Sequence, residues 1–580
     1  MAYRTGNIRT SVASVASVAS ILIAALASMT FVPSVAQACG GLFCDNQPMP
    51  MPVDQTGENI LFVIDEAAGK VEAHIQIRYM GDPQEFAWVI PVQSIPDFSA
   101  GSELLFNNLL AGTAPTYSVQ TVSDCEDNSN SGPGCASYAL DSSVGAETSA
   151  GGSGDTGNTG PTIVKRDIVG AFEIVVLTGG NAQELVDWLD DNGYAQDPDA
   201  PPIIEQYLSE GYYFAAAKLI NGAGIDELQP LVVSYAGTRP CVPLRLTGIA
   251  AVDDMPIRIF ALARDRVVPI GYKHVELNET LLDWQGQASN YFDVVIQAID
   301  EAGGLAFITE YASNSASIDQ SGLFDIRWDP SIFVDAEPVL GFGYTTIDAL
   351  TSQGLMECFS GGICTYNHPM LLPLLRNFLP TPPGIAEDDF YSCLECFQEE
   401  IDLVAWNGTS FAAALDERIV QPGKHAVEIL NTWPSLTRLL TIMSPHEMTA
   451  DPEFVQNADL PEVLPGHTTT RMIPCEGSDK FVFADGRELL MLPDDNWPDL
   501  EDMPYAERVE IMMPAGAPQI EDDNKSTIDD IIRTSNKRFD YDNGSGIKCA
   551  LRPAGGLGGG LTLGFIFAFA WRGRRRPSAH

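Results

Sequence analysis

The sequence predicts an α+β fold: a mainly antiparallel β-sheet body with several helices, stapled by disulfides, between an N-terminal signal peptide and a short C-terminal membrane helix. Short apolar runs separated by tight turns, beginning at Asn59, predict antiparallel strands. Later segments with helical signals lie between strands at no fixed period, which disfavours repeat folds. Apolar stretches flanked by arginine stand near both ends of the chain.

The clearest strand pattern covers residues 59–92. A short apolar run at 60–64 is followed by a turn at 68–69, and Pro91 stops a further run at 86–90. Between these runs apolar and polar side chains alternate, and the polar positions are Glu72, His74, Gln76 and Arg78. This period of two predicts a strand with one face in the core and the other face in water.

Strands and helices alternate irregularly after Asp167. The predicted strands lie at 169–177, 212–219, 231–235, 242–249 and 257–263. The predicted helices lie at 181–192, 202–210, 291–302, 346–358 and 369–378, the first of them with Asn181 as its N-cap. This mixture favours an α+β body over a propeller or solenoid.

The chain divides into a signal peptide (1–38), an exported body (39–517), an acidic polar stalk (518–556), a short transmembrane or sorting helix (557–571) and a cytoplasmic basic tail (572–580). Within the body, residues 123–161 are crowded with Gly, Ser, Thr, Asn and Asp. Such a segment buries too little apolar surface to fold by itself, so we expect a flexible insertion.

Composition and charge exclude several classes of protein. Of the 580 residues, 45% are hydrophobic and 19% are charged, which excludes a wholly disordered, collagen-like or coiled-coil chain. Acidic residues number 78 against 32 basic ones, a net charge of −46. Phosphate binding needs a basic face, so nucleic acid is not an expected partner. The acidic runs leave weak, non-specific binding of divalent cations open.

The N-terminus has the three parts of a secretory signal peptide. Arg4 and Arg9 give a positive start, an apolar and small-residue stretch follows at 11–32, and an Ala-Gln-Ala triplet ends at Ala38. We expect cleavage between Ala38 and Cys39, and export of the mature chain. Lipidation of Cys39 and an uncleaved N-terminal anchor are the alternatives.

The C-terminus carries a short membrane anchor. Its apolar run, Leu557–Trp571, has 15 residues, fewer than the about 20 of a full span, and arginines follow it. Because positive flanks stay in the cytoplasm, the body is predicted to lie outside the inner membrane. The cysteine, small residues, short helix and terminal arginines resemble the myxobacterial C-terminal sorting tag, with tag residues Cys549, Arg574, Arg575 and Arg576. The resemblance implies anchoring at the inner membrane or cell surface, with a sorting protease as a partner beside the export machinery.

Eleven cysteines are present, and setting aside Cys549 leaves an even number. An oxidising compartment allows five disulfides among Cys39, Cys44, Cys125, Cys135, Cys241, Cys358, Cys364, Cys393, Cys396 and Cys475. Close spacing favours Cys125–Cys135, Cys358–Cys364, Cys393–Cys396 and Cys39–Cys44, with Cys241–Cys475 as the long-range remainder. Sequence alone does not fix this connectivity.

Three motifs could carry chemistry, and for each the sequence favours a structural interpretation. A zinc site could be built from Cys358, Cys364, His368, Cys393 and Cys396, although export favours disulfides, and a redox Cys-x-x-Cys pair is a further alternative. Residues 407–412 resemble the serine segment of subtilisin-like proteases, but no histidine segment accompanies Ser410. Residues 540–544 fail as a calcium loop. We therefore assign no catalytic, cofactor-binding or metal residue, and expect no cofactor.

Several motifs together resemble an exported bacterial family. They are Cys39-Gly40-Gly41, Gln55-Thr56-Gly57-Glu58, Gly81-Asp82, the run 86–92, Leu436-Thr437-Arg438-Leu439, Met443-Ser444-Pro445 and Glu447-Met448-Thr449. As a set they are similar to the domain of unknown function 2330 family, over roughly residues 39–454. The resemblance implies export and carries no established activity and no catalytic residue.

The expected function is a non-catalytic structural or partner-binding role in an envelope protein held at the membrane or cell surface. The alternative is an extracellular enzyme, a hydrolase, with an unrecognised site. The lack of a paired nucleophile and base in the sequence favours the first. An enzyme would be recognised by a concave pocket with convergent titratable groups.

Overall fold

The computed structural model describes residues 57–76, 87–123, 161–192, 200–220, 225–249, 251–338, 345–359, 363–474, 478–491, 497–498 and 500–542. The predicted cleavage site, sorting tag and C-terminal helix lie outside the described residues, as do Cys44, Cys125, Cys135, Cys475 and the interior of the 123–161 segment. Of the helices in the described part, none is long and apolar enough to cross a bilayer.

A ten-stranded sheet forms the centre of the body. In spatial order its strands are β22 (Gln519–Asp523), β21 (Ala506–Ile511), β12 (Lys273–Leu277), β13 (Ala306–Asn314), β16 (Ser435–Met443), β10 (Met255–Ala263), β1 (Glu58–Asp65), β2 (Lys70–Gln76), β9 (Leu231–Ala236) and β4 (Asp97–Ala100). The pairs β1–β10 and β12–β13 are parallel and the others are antiparallel. The predicted α+β class with a mainly antiparallel sheet is confirmed.

Smaller sheets complete the strand inventory. An antiparallel four-stranded sheet has the order β3 (Ala87–Val92), β8 (Tyr213–Leu219), β7 (Phe172–Thr178) and β6 (Thr162–Val169). A second four-stranded sheet has the order β20 (Glu488–Leu490), β19 (Lys480–Val482), β18 (Gly466–Ile473) and β5 (Thr116–Ser123), and in it the β18–β5 pair is parallel. The two-stranded pairs are β11 (Val267–Ile270) with β17 (Glu453–Gln456), and β14 (Met356–Cys358) with β15 (Cys364–Tyr366).

Helices cover the sheets and form a separate layer. Those in the described residues are α1 (Glu103–Thr113), α2 (Ala182–Asp191), α3 (Ala200–Ser209), α4 (Leu244–Thr247), α5 (Tyr291–Glu301), α6 (Thr346–Ser352), α7 (Leu371–Phe378), α8 (Glu387–Ser392), α9 (Gly408–Leu415), α10 (Gln421–Thr432) and α11 (Lys525–Asp542). Asn181 caps α2 as predicted, in a reciprocal capping box with Glu184.

The two faces of the central sheet pack against different layers. On one face, Phe62 of β1 shares a core with Trp88 from the β3–β8–β7–β6 sheet. On the other face, Leu61 packs with Leu105 of α1 and Ile429 of α10. Because successive side chains of a strand point to opposite faces, each residue of β1 and β2 belongs to one layer or the other.

Two of the predicted disulfides are confirmed. Cys358–Cys364 joins β14 to β15, and Cys393–Cys396 follows α8. In these bonds the four sulfurs are not available as the thiolate ligands that the zinc alternative requires. His368, the fifth residue of that alternative, is buried, and its Nδ1 accepts a hydrogen bond from the Met370 N–H.

The long-range pair Cys241–Cys475 stays a prediction. The Cys241 thiol is free in the structure and lies 3.9 Å from the Tyr212 hydroxyl, while Cys475 is outside the described residues.

Among the predicted elements that differ in the structure, two have a clear physical cause. Residues 242–249 alternate like a strand but contain the short helix α4, because Arg245 donates to Asp451 from its backbone N–H at 3.0 Å and from Nε at 2.9 Å. The predicted helix 346–358 ends at Ser352, since Gly354 has a φ of 74° and turns the chain toward β14. In both cases a contact or a backbone conformation overrides the local pattern.

The predicted stalk is folded onto the body as far as residue 542. Gln519–Asp523 pairs with β21 as the edge strand of the central sheet. Ile528 and Ile532 of α11 are buried in a core that includes Phe481. The stalk prediction is therefore wrong for 519–542. The composition of this segment is polar on average, but two apolar residues one helical turn apart are enough to form a buried face of the helix.

Candidate metal centre

The motif around Ser410 is a helix start. The Asn407 side-chain oxygen accepts a hydrogen bond from the Ser410 N–H at 3.0 Å and so caps α9. A Cβ atom at Gly408 would lie 2.3 Å from the Phe333 carbonyl oxygen, so this close approach requires glycine. The Asn-Gly-Thr-Ser sequence thus serves packing and capping, as its structural interpretation predicts.

The polar side of β2 does not face water. His74 is 2% exposed and Gln76 1% exposed, and the Glu72 side chain is 16% exposed. These residues pair with β1 at positions such as Leu61 and Val63, on the face that α1 and α10 cover. The prediction of a wet face is wrong because helices that follow later in the chain pack over it, which a period of two does not encode.

A third side chain, His425, reaches β2 from α10. The helix follows a π-helical turn at Asp416–Val420, a feature frequent at functional sites. A Cβ atom on Gly423 would lie 2.0 Å from the Leu323 carbonyl oxygen, so glycine lets the start of α10 approach that segment closely. Two residues later, the His425 ring stacks on the His74 ring, with centroids 5.6 Å apart and an interplanar angle of 7°.

Glu72, His74 and His425 form a compact set of metal-ligating groups. Nε2 of His425 is 2.7 Å from Oε2 of Glu72, and Nε2 of His74 is 3.8 Å from the same oxygen. One ligand atom from each residue lies within 4.8 Å of the other two, the one such set among the described residues. The second carboxylate oxygen, Oε1, accepts a hydrogen bond from Lys70 Nζ at 2.8 Å.

The protonation states of this set suit a metal ion. The hydrogen bond with His425, and next the interaction with the nearby His74 imidazole, hold the pKa of the Glu72 carboxyl well below its usual range. Burial lowers the pKa of His74, so its imidazole is neutral at neutral pH. An ionised carboxylate and a neutral imidazole are the forms in which these side chains bind metals.

His74 is a buried imidazole without a hydrogen-bond partner. Neither of its ring nitrogens is hydrogen-bonded, whereas Gln76 on the same face accepts from Asn59 and donates to Glu103. Leaving one partner of a buried hydrogen bond unsatisfied costs about 1–3 kcal/mol. A cation that accepts the imidazole lone pair would remove this cost.

Two imidazole nitrogens and one carboxylate oxygen match a divalent transition metal such as Zn²⁺ or Fe²⁺. Ligands at about 2.0–2.1 Å from a tetrahedral ion lie about 3.3 Å apart. The two distances to Glu72 Oε2, 2.7 and 3.8 Å, lie on either side of that value. Three protein ligands leave one coordination position open to water or to another ligand.

Sequence reasoning missed this set. The alternation in β2 identifies Glu72 and His74 only as polar positions of a strand, although a Glu-x-His pattern on a strand does put both side chains on one face. His425 follows Glu72 by 353 residues, so no local spacing connects it to them. The topology of the fold, and not a motif, brings the third ligand to the site.

A family model described as an uncharacterized protein conserved in bacteria, DUF2330, matches residues 33–322. The match includes Glu72 and His74 but ends before His425, and before the motif at 436–439 on which the resemblance also relied. No curated protein and no solved structure matches the chain.

Proposed function

This chain belongs to the DUF2330 family of uncharacterized bacterial proteins, and from that premise we propose that it is an exported envelope protein whose body binds a divalent transition metal ion. The observation that carries the proposal is the set of Glu72, His74 and His425. The family supplies no activity, so the chemistry of the site has to be argued from these side chains alone.

Export is supported by both ends of the chain and by its cysteines. The N-terminus has signal-peptide features with cleavage before Cys39, and Leu557–Trp571 with its arginines resembles a short anchor or sorting tag. The bonds Cys358–Cys364 and Cys393–Cys396 are of the kind that persists in oxidising compartments. In this proposal the body lies outside the cytoplasm, held at the inner membrane or cell surface.

The first role of the metal ion is structural. Glu72 and His74 lie on β2, and His425 lies on α10, so one ion bound to all three joins the central sheet to a helix far away in sequence. Such an ion stabilises the folded state because the unfolded chain does not hold its ligands together. This role agrees with the expected non-catalytic function of the protein.

A metal-dependent hydrolase is the second candidate. Catalytic zinc sites have three protein ligands and keep one position for water, which the ion activates. The set here also has three protein ligands, and the His425 side chain is 35% exposed, so water reaches one side of the set. Hydrolysis of a model ester by the zinc-loaded protein, lost in His425→Gln, would favour this candidate.

Zinc binding tests the site directly. The purified full-length protein, stripped with a chelator, is expected to bind one Zn²⁺ by isothermal titration calorimetry, and Zn²⁺ should raise its thermal unfolding temperature. His74→Gln and His425→Gln should each weaken binding by at least about tenfold, because each removes one ligand atom.

The matched control for this experiment is His446→Gln, which changes an exposed histidine outside the set. It should bind Zn²⁺ like the wild type. If wild-type protein binds no zinc, or if His74→Gln and His425→Gln bind it unchanged, the proposed metal centre is wrong.

The mature termini test the export proposal. After fractionation of the native cells, mass spectrometry should find the protein in the envelope fraction with Cys39 as its first residue. A tail ending near Cys549 would favour the sorting tag, whereas an intact Arg574–Arg576 would favour a permanent anchor. Recovery of the chain in the cytosol with Met1 intact would rule out export.

A further inference from the structure

A cavity of about 40 Å³ lies on the face of the central sheet opposite to the metal-ligating set. It lies between β1 and β2 on one side and β3 of the smaller sheet on the other. Apolar and aromatic side chains dominate its lining, and the residues that matter for its chemistry are Glu58, Phe62, Trp88, Tyr212, Tyr235 and Cys241.

Glu58 is the unusual member of this lining. It is 0% exposed, and neither of its carboxyl oxygens has a hydrogen-bond partner. Burial raises the pKa of Glu58 to about 8, so the carboxyl is protonated at neutral pH in the empty cavity. Buried polar groups are nearly always hydrogen-bonded in folded proteins, so the Glu58 carboxyl lacks a partner that a ligand in the cavity would supply.

No positively charged side chain of the described cavity lining faces Glu58. Among the described residues that line the cavity there is no lysine, arginine or histidine. The other titratable groups are neutral at neutral pH, because burial raises the pKa of Tyr212 to about 12, that of Cys241 to about 11, and that of Tyr235 above its usual range. An ionised Glu58 would therefore have no counter-ion from the protein.

We propose that this cavity binds a small organic cation, an ammonium group that carries a short alkyl substituent. The Glu58 carboxylate is its counter-ion, and the aromatic lining stabilises the positive charge through cation–π contacts. When the cation enters, Glu58 releases its proton to solvent, so one cation is exchanged for one proton and the cavity stays neutral. The site is independent of the proposed metal centre, since the two lie on opposite faces of the sheet.

The size of the cavity and the net charge of the protein restrict which ligands can bind there. A buried water molecule needs about 10–15 Å³ of cavity volume, so a cavity of this size has room for roughly three such groups. A ligand as small as methylammonium fits that space. The net charge of −46 attracts cations and disfavours small anions such as acetate. The proton exchange predicts that affinity rises about tenfold for each pH unit up to the pKa of Glu58.

The test is a titration of the purified full-length protein with methylammonium chloride at pH 6, 7 and 8, followed by thermal stabilisation and by calorimetry. Sodium chloride at equal ionic strength is the salt control, and acetamide is the neutral comparator. We expect saturable binding of methylammonium that tightens about tenfold from pH 6 to pH 7 and by a smaller factor from pH 7 to pH 8, and its loss in Glu58→Gln. Glu66→Gln, which changes an exposed carboxylate in the β1–β2 turn, should bind like the wild type.

Three outcomes overturn the proposal. They are unchanged binding in Glu58→Gln, binding that does not depend on pH, and stabilisation by acetamide as strong as that by methylammonium. A complete lack of saturable methylammonium binding up to 100-millimolar concentrations, the order of magnitude of a very weak site, also overturns it. Loss of zinc binding in His425→Gln would bear only on the metal centre, and not on this cavity.

Discussion

Replacing Arg438 with methionine should lower the free energy of unfolding by about 3–5 kcal/mol, the usual cost of breaking a buried ion pair. Arg438 of β16 is 4% exposed, and its Nε donates to Glu310 Oε2 of β13 at 2.5 Å. Its Nη1 donates to the Leu110 carbonyl and to the Thr113 hydroxyl of α1. Glu310, itself 4% exposed and hydrogen-bonded by Tyr291, would be left as a buried carboxylate without its cation. Urea unfolding followed by circular dichroism measures the loss.

Two further variants separate the buried pair from a general loss of charge. Arg327→Met breaks an exposed pair with Asp325, where solvent screens both charges, and should lower the free energy of unfolding far less than Arg438→Met. Adding Glu310→Leu to Arg438→Met should recover part of the loss, because the unpaired carboxylate is then removed. Equal effects of Arg438→Met and Arg327→Met would contradict the importance assigned to this contact.

Replacing Glu58 with glutamine should stabilise the protein, and increasingly so as the pH rises. Burial raises the pKa of Glu58 to about 8, whereas in the unfolded chain it has its ordinary value near 4.5. Between these values the folded state holds a proton that the unfolded state has lost, so wild-type stability falls by up to about 1.4 kcal/mol per pH unit. The free energy of unfolding of the wild type is undiminished by this effect below about pH 4.5. By pH 8 the accumulated loss in that free energy approaches about 5 kcal/mol.

Glutamine has the shape of glutamic acid and no charge, so Glu58→Gln should remove this part of the pH dependence. Urea unfolding at pH 5, 6.5 and 8 should give a difference between variant and wild type that grows with pH. Glu66→Gln, at an exposed site, should show no such growth. Parallel pH profiles for wild type and Glu58→Gln would mean that Glu58 ionises normally in the folded protein.

Local signals in the sequence predicted the elements that depend on local contacts. The cap of α2 at Asn181 needs Glu184, three residues on, and both confirmed disulfides join cysteines of one short segment. The short helix α4 was mistaken for a strand because its cause, the contact of Arg245 with Asp451, spans 206 residues. A pattern read over eight residues contains no information about such a partner.

The same limit applies to both candidate sites. Glu72, His74 and Glu58 stand in a recognisable strand region, but their burial depends on α10 and on the smaller sheet. A polar residue in an alternating strand is assigned to water unless something later in the chain covers it. The covering elements here come from residues 421–432 and 87–92, and their positions follow from the tertiary fold.

The order of strands in the central sheet constrains when this chain can fold. The strands β10 and β13 come before β16 in the sequence. They do not pair with each other, because β16 lies between them in the sheet. Until β16 has been synthesised as far as Met443, the edges of β10 and β13 that pair with it are unpaired. The two halves of the central sheet are therefore not yet joined. A nascent chain in this condition stays unfolded for longer than one built from sequential hairpins. For a chain exported as proposed above, that delay would suit passage through a translocation channel, which admits an extended polypeptide and not a finished domain. Slow passage would expose the open edges to aggregation.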